Sequence, residues 1–364
     1  MTIQKMALIG TGVMGMGIAQ IAAQAGVEVR LFDAKPGAAE QGLEKLKVTL
    51  HKLAAKGKLT EQQLVDTLAR LIILESIEEV AGVDLVVEAI IENLEIKQTL
   101  FKQLERIVAE ETILVSNTSS LSVTSIASAC QHQGRIAGFH FFNPVPLMKI
   151  VEVIPGLRTA NDVTQRVNAL GTSMGHFTAQ ATDTPGFLVN HAGRAFGTEA
   201  LRVLSESVTD PATIDRIMVD QGGFRMGPFT LLDLTGLDVS HAVMESVYHQ
   251  YYEEPRFRPS PLTRQRLSAG LLGRKTGEGF YRYVDGQQQM PEEPAIATAS
   301  PCPVWISQDD PGSAAQLAEL VATAGWPLES ADQPSSEALC LLTPLGEDTT
   351  QCALRQGLNA EQCV

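Results

Sequence analysis

A histidine and a glutamate carry the first chemical signal in this chain. His140 closes the apolar run RIAGFHF (135–141), and Glu152 sits inside a second one, KIVEVI (149–154). Pro144 and Pro146 mark a loop between them. A reversal near Pro146 leaves the two residues six positions either side of the turn, facing each other on paired strands. A carboxylate inside a β-branched run is costly unless it is paired. A histidine held and polarised by a glutamate is a general base suited to work near neutral pH. Taken alone, the pair is equally compatible with a buried structural hydrogen bond.

A second signal lies at the N-terminus. Gly10-Thr11-Gly12-Val13-Met14-Gly15 follows one apolar run and opens a helical one. In such a GxGxxG, Gly10 permits a tight turn, Gly12 lets the backbone approach a pyrophosphate, and Gly15 lets helix and strand pack closely. Asp33, 23 residues after Gly10, ends the next apolar run, where a carboxylate bonds a ribose 2′-hydroxyl. Asp33 favours NAD over NADP by repelling a 2′-phosphate; Lys35 nearby pulls the other way.

Two further segments place polar groups near a ligand. VSNTSSL (115–121) follows a strand and so lies at the carboxyl edge of the sheet, where Asn117, Ser119 and Ser120 can donate hydrogen bonds. The same serines fit helix capping, with Ser120 or Ser122 starting the helix of 123–130. DTPGFLVN (183–190) sets Asn190 about one turn into a helix, as a site residue or a helix–helix contact.

The elements that must position these groups alternate. MALIG (6–10), EVRLFD (28–33), DLVVEAI (84–90), TILVSN (112–117) and RIAGFHF read as buried strands, separated by helices over 15–25, 94–109 and 123–130. This predicts a Rossmann-type α/β domain, a doubly wound parallel sheet, over residues 1–184. Residues 37–70 interrupt it as a helical hairpin joined at Lys56-Gly57-Lys58. From 185 to 283 the periodicity is helical, with Asp210-Pro211 as a helix start. Residues 286–300 read as a linker, and 301–364 as a small, incomplete α/β segment.

Composition narrows the partners. The 364 residues carry 28 basic and 42 acidic side chains, a net charge of −14, which argues against nucleic acid. No run reaches the roughly 18–20 apolar residues of a membrane span. The apolar N-terminus imitates a signal peptide, but its glycine spacing explains it better. Five scattered cysteines form no CxxC, so neither zinc nor a disulfide framework is expected, and a reducing cytoplasm fits. No ligand cluster calls for a metal.

From about Ile3 to Tyr283 the chain resembles the 3-hydroxyacyl-CoA dehydrogenases. The matching segments are the glycine motif, VVEAIIENLEIK (86–97), SNTSSL (116–121), GFHFFNPVPLMKIVEV (138–153), DTPGFLVN, MGPF (226–229) and GRKTGEGFYRY (273–283), in the family's order. The resemblance implies NAD-dependent oxidation of an L-3-hydroxyacyl-CoA. His140 would take the hydroxyl proton, and Glu152 would orient it. Ser119 and Asn190 would hold the substrate oxygen and the base, while Glu92, Lys97, Asn117 and Asn143 line the nicotinamide and ribose region. It also implies acyl-CoA binding between the domains and a homodimer formed through the helical ones.

One departure is His191, where the family usually has arginine; Arg194 stands one turn on. Lys52, Lys56 and Lys58 at the hairpin tip either contact coenzyme A phosphates or form a solvated basic tip. The last segment resembles the middle of longer members, associated with phenylacetate breakdown, whose second helical copy is absent here. Two other readings are a different β-hydroxyacid dehydrogenase, which would usually rely on lysine, and a catalytically silent NAD-binding protein. The His140/Glu152 pairing speaks against the first, and the intact set of Ser119, His140, Glu152 and Asn190 against the second. The acyl chain stays open, from 3-hydroxybutyryl to 3-hydroxyadipyl.

Overall fold

The structure, a computed structural model, describes residues 2–293 and 300–364. The chain divides into two compact units, Met1–Pro291 and Glu292–Val364.

The first unit is built on an eight-stranded sheet in the order β3-β2-β1-β4-β5-β6-β7-β8. Its strands are β1 (Lys5–Ile9), β2 (Glu28–Phe32), β3 (Leu71–Ile73), β4 (Leu85–Glu88), β5 (Ile113–Ser116), β6 (Ile136–Phe141), β7 (Ile150–Pro155) and β8 (Phe177–Gln180). Helices α1 (Val13–Gln24), α2 (Ala38–Ala55), α3 (Glu61–Ala69), α4 (Leu94–Ile107), α5 (Val123–Ala127) and α6 (Asn161–Ser173) connect them. Alternate residues of β1 feed separate cores: Met6 and Leu8 join Ile18, Leu46 and Val167, while Ala7 and Ile9 join Phe101, Leu104 and Ile126. Helices thus cover both faces, which is why these strands read as continuous apolar runs.

The first six strands are parallel; β7 pairs antiparallel with β6, and β8 runs parallel to β7. The sheet is therefore mixed rather than wholly parallel. The reversal follows from the short Pro-marked loop, because a parallel return needs a crossover of a dozen residues or more. β3 and β8 were not expected; at three and four residues they carry too little pattern to stand out.

The inserted hairpin is present as α2 and α3, the latter opened by a Thr60/Gln63 capping box. Helical structure follows the sheet: α7 (Val189–Ala192), α8 (Arg194–Ser205), α9 (Pro211–Arg216), α10 (Pro228–Thr235), α11 (Leu237–Gln250) and α12 (Pro261–Ser268). Asp210 caps α9 by accepting from the N–H groups of Ala212 and Thr213. Asp215 and Asp233, both buried, tie the segment around Tyr281 to α10. Asp215 accepts from the Phe229 and Thr230 N–H groups and the Tyr281 hydroxyl. Asp233 accepts from the Phe280 and Tyr281 N–H groups.

The expected linker over 286–300 needs correction at its start. β9 (Arg282–Val284) and β10 (Gln287–Gln289) form an antiparallel pair. Asp285 and Gly286 between them both take positive φ, 50° and 74°. An Asp-Gly pair with that geometry is a strong two-residue hairpin signal. Residues 294–299 of that stretch lie outside the described residues.

The described part of the second unit pairs β11 (Val304–Ile306) in parallel with β12 (Leu339–Leu341). Helices α13 (Pro311–Thr323) and α14 (Thr349–Arg355) accompany them. Among the described residues no helix is long and apolar enough to cross a membrane.

Candidate active site

The antiparallel step between β6 and β7 puts His140 opposite Glu152 in register. Both are buried, and His140 Nδ1 lies 2.6 Å from Glu152 Oε2. A carboxylate only accepts, so Nδ1 carries the proton, and in the neutral form of the ring the lone pair lies at Nε2. Among the described residues Nε2 has no hydrogen-bond partner. The other oxygen of the glutamate, Oε1, accepts the N–H groups of Leu188 and Val189 at 2.8 Å each. Glu152 therefore grips both the histidine and the start of α7. Phe142 and Phe187 flank the imidazole at centroid distances of 4.4 and 5.8 Å.

Asn190 follows directly. The α7 helix begins at Val189, so Asn190 lies in its first turn rather than after it. Its Nδ2 donates to the Ser119 carbonyl at 3.3 Å. Asn117 accepts the Phe141 N–H at 2.9 Å, fixing the end of β6 beside His140.

The serine segment divides its duties. Ser122 caps α5 by accepting the Ser125 N–H, and Asp183 reinforces that end by accepting from the Val123 and Thr124 N–H groups. Thr118, Ser119 and Ser120 turn instead to Glu92. Its Oε1 accepts the Thr118 hydroxyl at 2.6 Å and the Ser119 and Ser120 N–H groups at 2.8 and 3.0 Å. The Ser119 hydroxyl lies at 3.3 Å from the same oxygen. Burial opposes the charge of Glu92, but the Lys97 ammonium and these donors outweigh it and hold the carboxyl below its usual range.

Lys97 was expected at the nicotinamide and ribose region. It is 1% exposed, with Nζ 2.5 Å from Glu88 Oε1 and 3.3 Å from Glu92 Oε2. It supports Glu92 from within. Glu88, fully buried, also accepts the Ser116 hydroxyl at 2.6 Å and the Ile90 N–H at 2.8 Å. Sequence reasoning missed this buried pair.

The glycine loop fits a dinucleotide. A Cβ at Gly10 would lie 2.5 Å from the Ala89 carbonyl oxygen, and one at Gly15 would lie 1.9 Å from the Gly10 oxygen, whereas Gly12 faces open space. The start of α1 has no side-chain cap, which leaves its N–H groups for an anion. Gly10, Gly12 and Asp33 line a cleft of about 880 Å³ with Ile90, Ile91 and Ile96. Burial works against the Asp33 charge, but the N–H groups of Thr11 and Lys35 and the Thr11 hydroxyl prevail and hold its pKa below the usual value. The carboxylate keeps lone pairs for a ribose hydroxyl.

A second cleft, about 720 Å³, shares Gly12, Asp33 and Lys35 with the first and runs between α2 and the Asn143–Leu147 loop. Its cations are Lys35 and Lys45; Lys52, Lys56 and Lys58 are exposed and do not line it. Lys45 lies two turns below Lys52 on α2, a placement that the helical period could have shown.

His191 sits near Tyr251, whose hydroxyl lies 3.0 Å from His191 Nδ1. Arg194 does not take up an equivalent contact: its Nε and Nη1 are buried and, among the described residues, have no hydrogen-bond partner, and burial lowers its pKa. Among the described residues no cluster of three or more His, Cys, Asp or Glu side chains could hold a metal.

This fold and site define a dinucleotide-dependent oxidoreductase with a His–Glu couple, and similarity to known proteins makes the class specific. Residues 5–184 match the 3-hydroxyacyl-CoA dehydrogenase NAD binding domain, and residues 186–283 match the C-terminal domain of the same enzymes. The chain belongs to the 3-hydroxyacyl-CoA dehydrogenase family, whose members are NAD-dependent oxidoreductases. It is 44% identical over 285 residues to a probable 3-hydroxybutyryl-CoA dehydrogenase of Bacillus subtilis, covering 78% of this chain and 99% of that one. It is 42% identical over 279 residues to the 3-hydroxyadipyl-CoA dehydrogenase of Escherichia coli K12, covering 77% of this chain but only 59% of that protein. Among solved structures, the 3-hydroxybutyryl-CoA dehydrogenase of Escherichia coli K12 superposes with a TM-score of 0.78 at 40% identity, over 83% of this chain and 62% of the other.

Proposed function

We propose that this chain oxidises L-3-hydroxyacyl-CoA to 3-ketoacyl-CoA with NAD, in the cytoplasm, with His140 as general base. The His140–Glu152 contact at 2.6 Å supports this reading most directly. The substrate hydroxyl donates to His140 Nε2, and the proton passes to the ring as the C3–H bond breaks. The Glu152 carboxylate stabilises the imidazolium that forms. Asn190 and Ser119 hold the reacting oxygen, and Glu92 keeps the serine segment in place. Bound NAD supplies the acceptor for the hydride leaving C3. Asp33 and the N-terminus of α1 hold its ribose and pyrophosphate, and Asn117 and Asn143 face its nicotinamide half. NADH formation across a panel running from 3-hydroxybutyryl-CoA to 3-hydroxyadipyl-CoA tests the reading. No turnover with any member, despite NADH binding, would instead support a silent NAD-binding protein.

Asp33→Ala should weaken NAD binding and narrow its advantage over NADP, because a bond to a charged partner contributes about 1.5–3 kcal/mol. Equal affinity of the wild-type protein for both cofactors would reject this role.

Coenzyme A takes the cleft beside α2. Lys35 and Lys45 meet its phosphates there, with Lys52, Lys56 and Lys58 further along the hairpin. Lys45→Glu should raise KM for acyl-CoA more than reversal at the three tip lysines. A KM insensitive to both, measured at low salt, removes the phosphate contact.

The helical segment also forms a homodimer. Ile217, Phe224, Leu231, Leu234 and Val239 are exposed there, and such apolar surface marks an interface. The catalytic unit ends at Pro291, beyond the β9–β10 hairpin, so a chain cut there should keep kcat, KM and dimer mass. Sedimentation as a monomer, by the full chain or the truncated one, would refute the dimer. A large loss of kcat/KM with folding intact would show that residues beyond 291 shape the site.

A further inference from the structure

The Asn143–Leu147 loop walls the second cleft and carries Asn143 toward the glycine motif. It is anchored through one residue, Val145, which is 2% exposed. The Val145 side chain packs on α1 at Gly17, where a Cβ would meet Val145 Cβ at 2.9 Å and Cγ2 at 3.0 Å. Its carbonyl oxygen lies 3.0 Å from Nε2 of His176, a buried residue between α6 and β8. Nδ1 of the same ring lies 3.2 Å from the Met174 carbonyl oxygen, and the ring meets Phe141 edge-on at 5.6 Å.

Both neighbours are carbonyl oxygens, which only accept, so a neutral ring donates to one of them, and the shorter contact, Nε2 to Val145 at 3.0 Å against 3.2 Å to Met174, is the one that holds the loop. An apolar side chain at 176 would leave that buried carbonyl without its donor. His176 touches neither His140 nor Glu152; its polar contacts run to the loop and to its own turn.

We propose that His176 is a positioning residue: clamped against Gly17 by this hydrogen bond, Val145 fixes the loop that presents Asn143 to the nicotinamide half of the cofactor. The assignment rests on the NAD reading above. Side chains that lock a binding wall act on affinity more than on the chemical step, so KM and Kd move while kcat does not.

The test uses the full chain, with NADH affinity read by fluorescence and steady-state kinetics read with acetoacetyl-CoA. His176→Leu should raise the NADH Kd about five- to tenfold, the loss expected for one buried hydrogen bond, with kcat within about twofold. His176→Gln keeps an N–H donor and should restore most of the affinity. Gly17→Ala presses on Val145 from the other side and should weaken NADH as well, and the double variant with His176→Leu should fall short of the product of the two losses. Wild-type NADH affinity in His176→Leu overturns the proposal. So do equal losses in His176→Leu and His176→Gln accompanied by a lowered melting temperature, the mark of a merely structural ring. If His176→Leu does not fold, Gly17→Ala decides: unchanged affinity there overturns it. A wild-type protein that binds NADH without reducing acetoacetyl-CoA refutes the dehydrogenase reading, while the Kd comparison still tests the anchor.

Discussion

His140→Gln lowers kcat by about 10²–10⁴, the range contributed by a positioned general base. Glutamine keeps a polar side chain on β6 but has no lone pair of suitable basicity to take the substrate proton. Glu152→Gln costs less. Its amide can still accept the Leu188 and Val189 N–H groups through its oxygen. It then turns an NH₂ toward His140 Nδ1, which favours the tautomer protonated at Nε2, the wrong one for a base. Because both changes disable the same proton transfer, the double variant loses far less than the product of the singles. Strictly multiplicative losses in kcat would show that the two residues work independently.

Lys97→Met produces the largest loss of stability. Lys97 is 1% exposed and Glu88 fully buried, with 2.5 Å between Nζ and Oε1. Removing the ammonium leaves a buried carboxylate supported, among the described residues, by the Ser116 hydroxyl and the Ile90 N–H. Breaking such a pair costs about 3–5 kcal/mol, a fall in Tm on the order of ten degrees for a chain of this size. Adding Glu88→Gln removes the stranded charge, keeps an acceptor for both donors and recovers most of the loss. Calorimetry of the two variants checks this: equal melting temperatures would mean that packing, not charge, is responsible.

The pairing of His140 with Glu152 could be read in advance because period-two strands and a Pro-marked reversal fix register by counting alone. Five strands of the sheet, α1 and the inserted hairpin were legible for the same reason: their apolar periodicity is local. Glu92 was legible only as a family position, because its role depends on three residues from another connection meeting its carboxylate. Lys97, within an amphipathic helix, gives no local sign that its ammonium turns inward to Glu88. His176 and Val145 sit 31 positions apart, joined through a backbone carbonyl that no side-chain pattern reveals. The Asp285-Gly286 turn is different: its signal was in the sequence, masked by the glutamine-rich run that follows.

Glu152 has one consequence beyond its pairing with His140. The carboxylate that holds His140 also bonds the two amides opening α7, so the candidate site coincides with the joint between sheet and helices. A helical portion that swivels about this joint leaves the imidazole undisturbed, whereas one that pulls away must first release the glutamate. The amide protons of Leu188 and Val189 are therefore a built-in strain gauge. Their exchange with deuterium in solution should report each escape of the helices from the base, and Glu152→Ala should let both run freely.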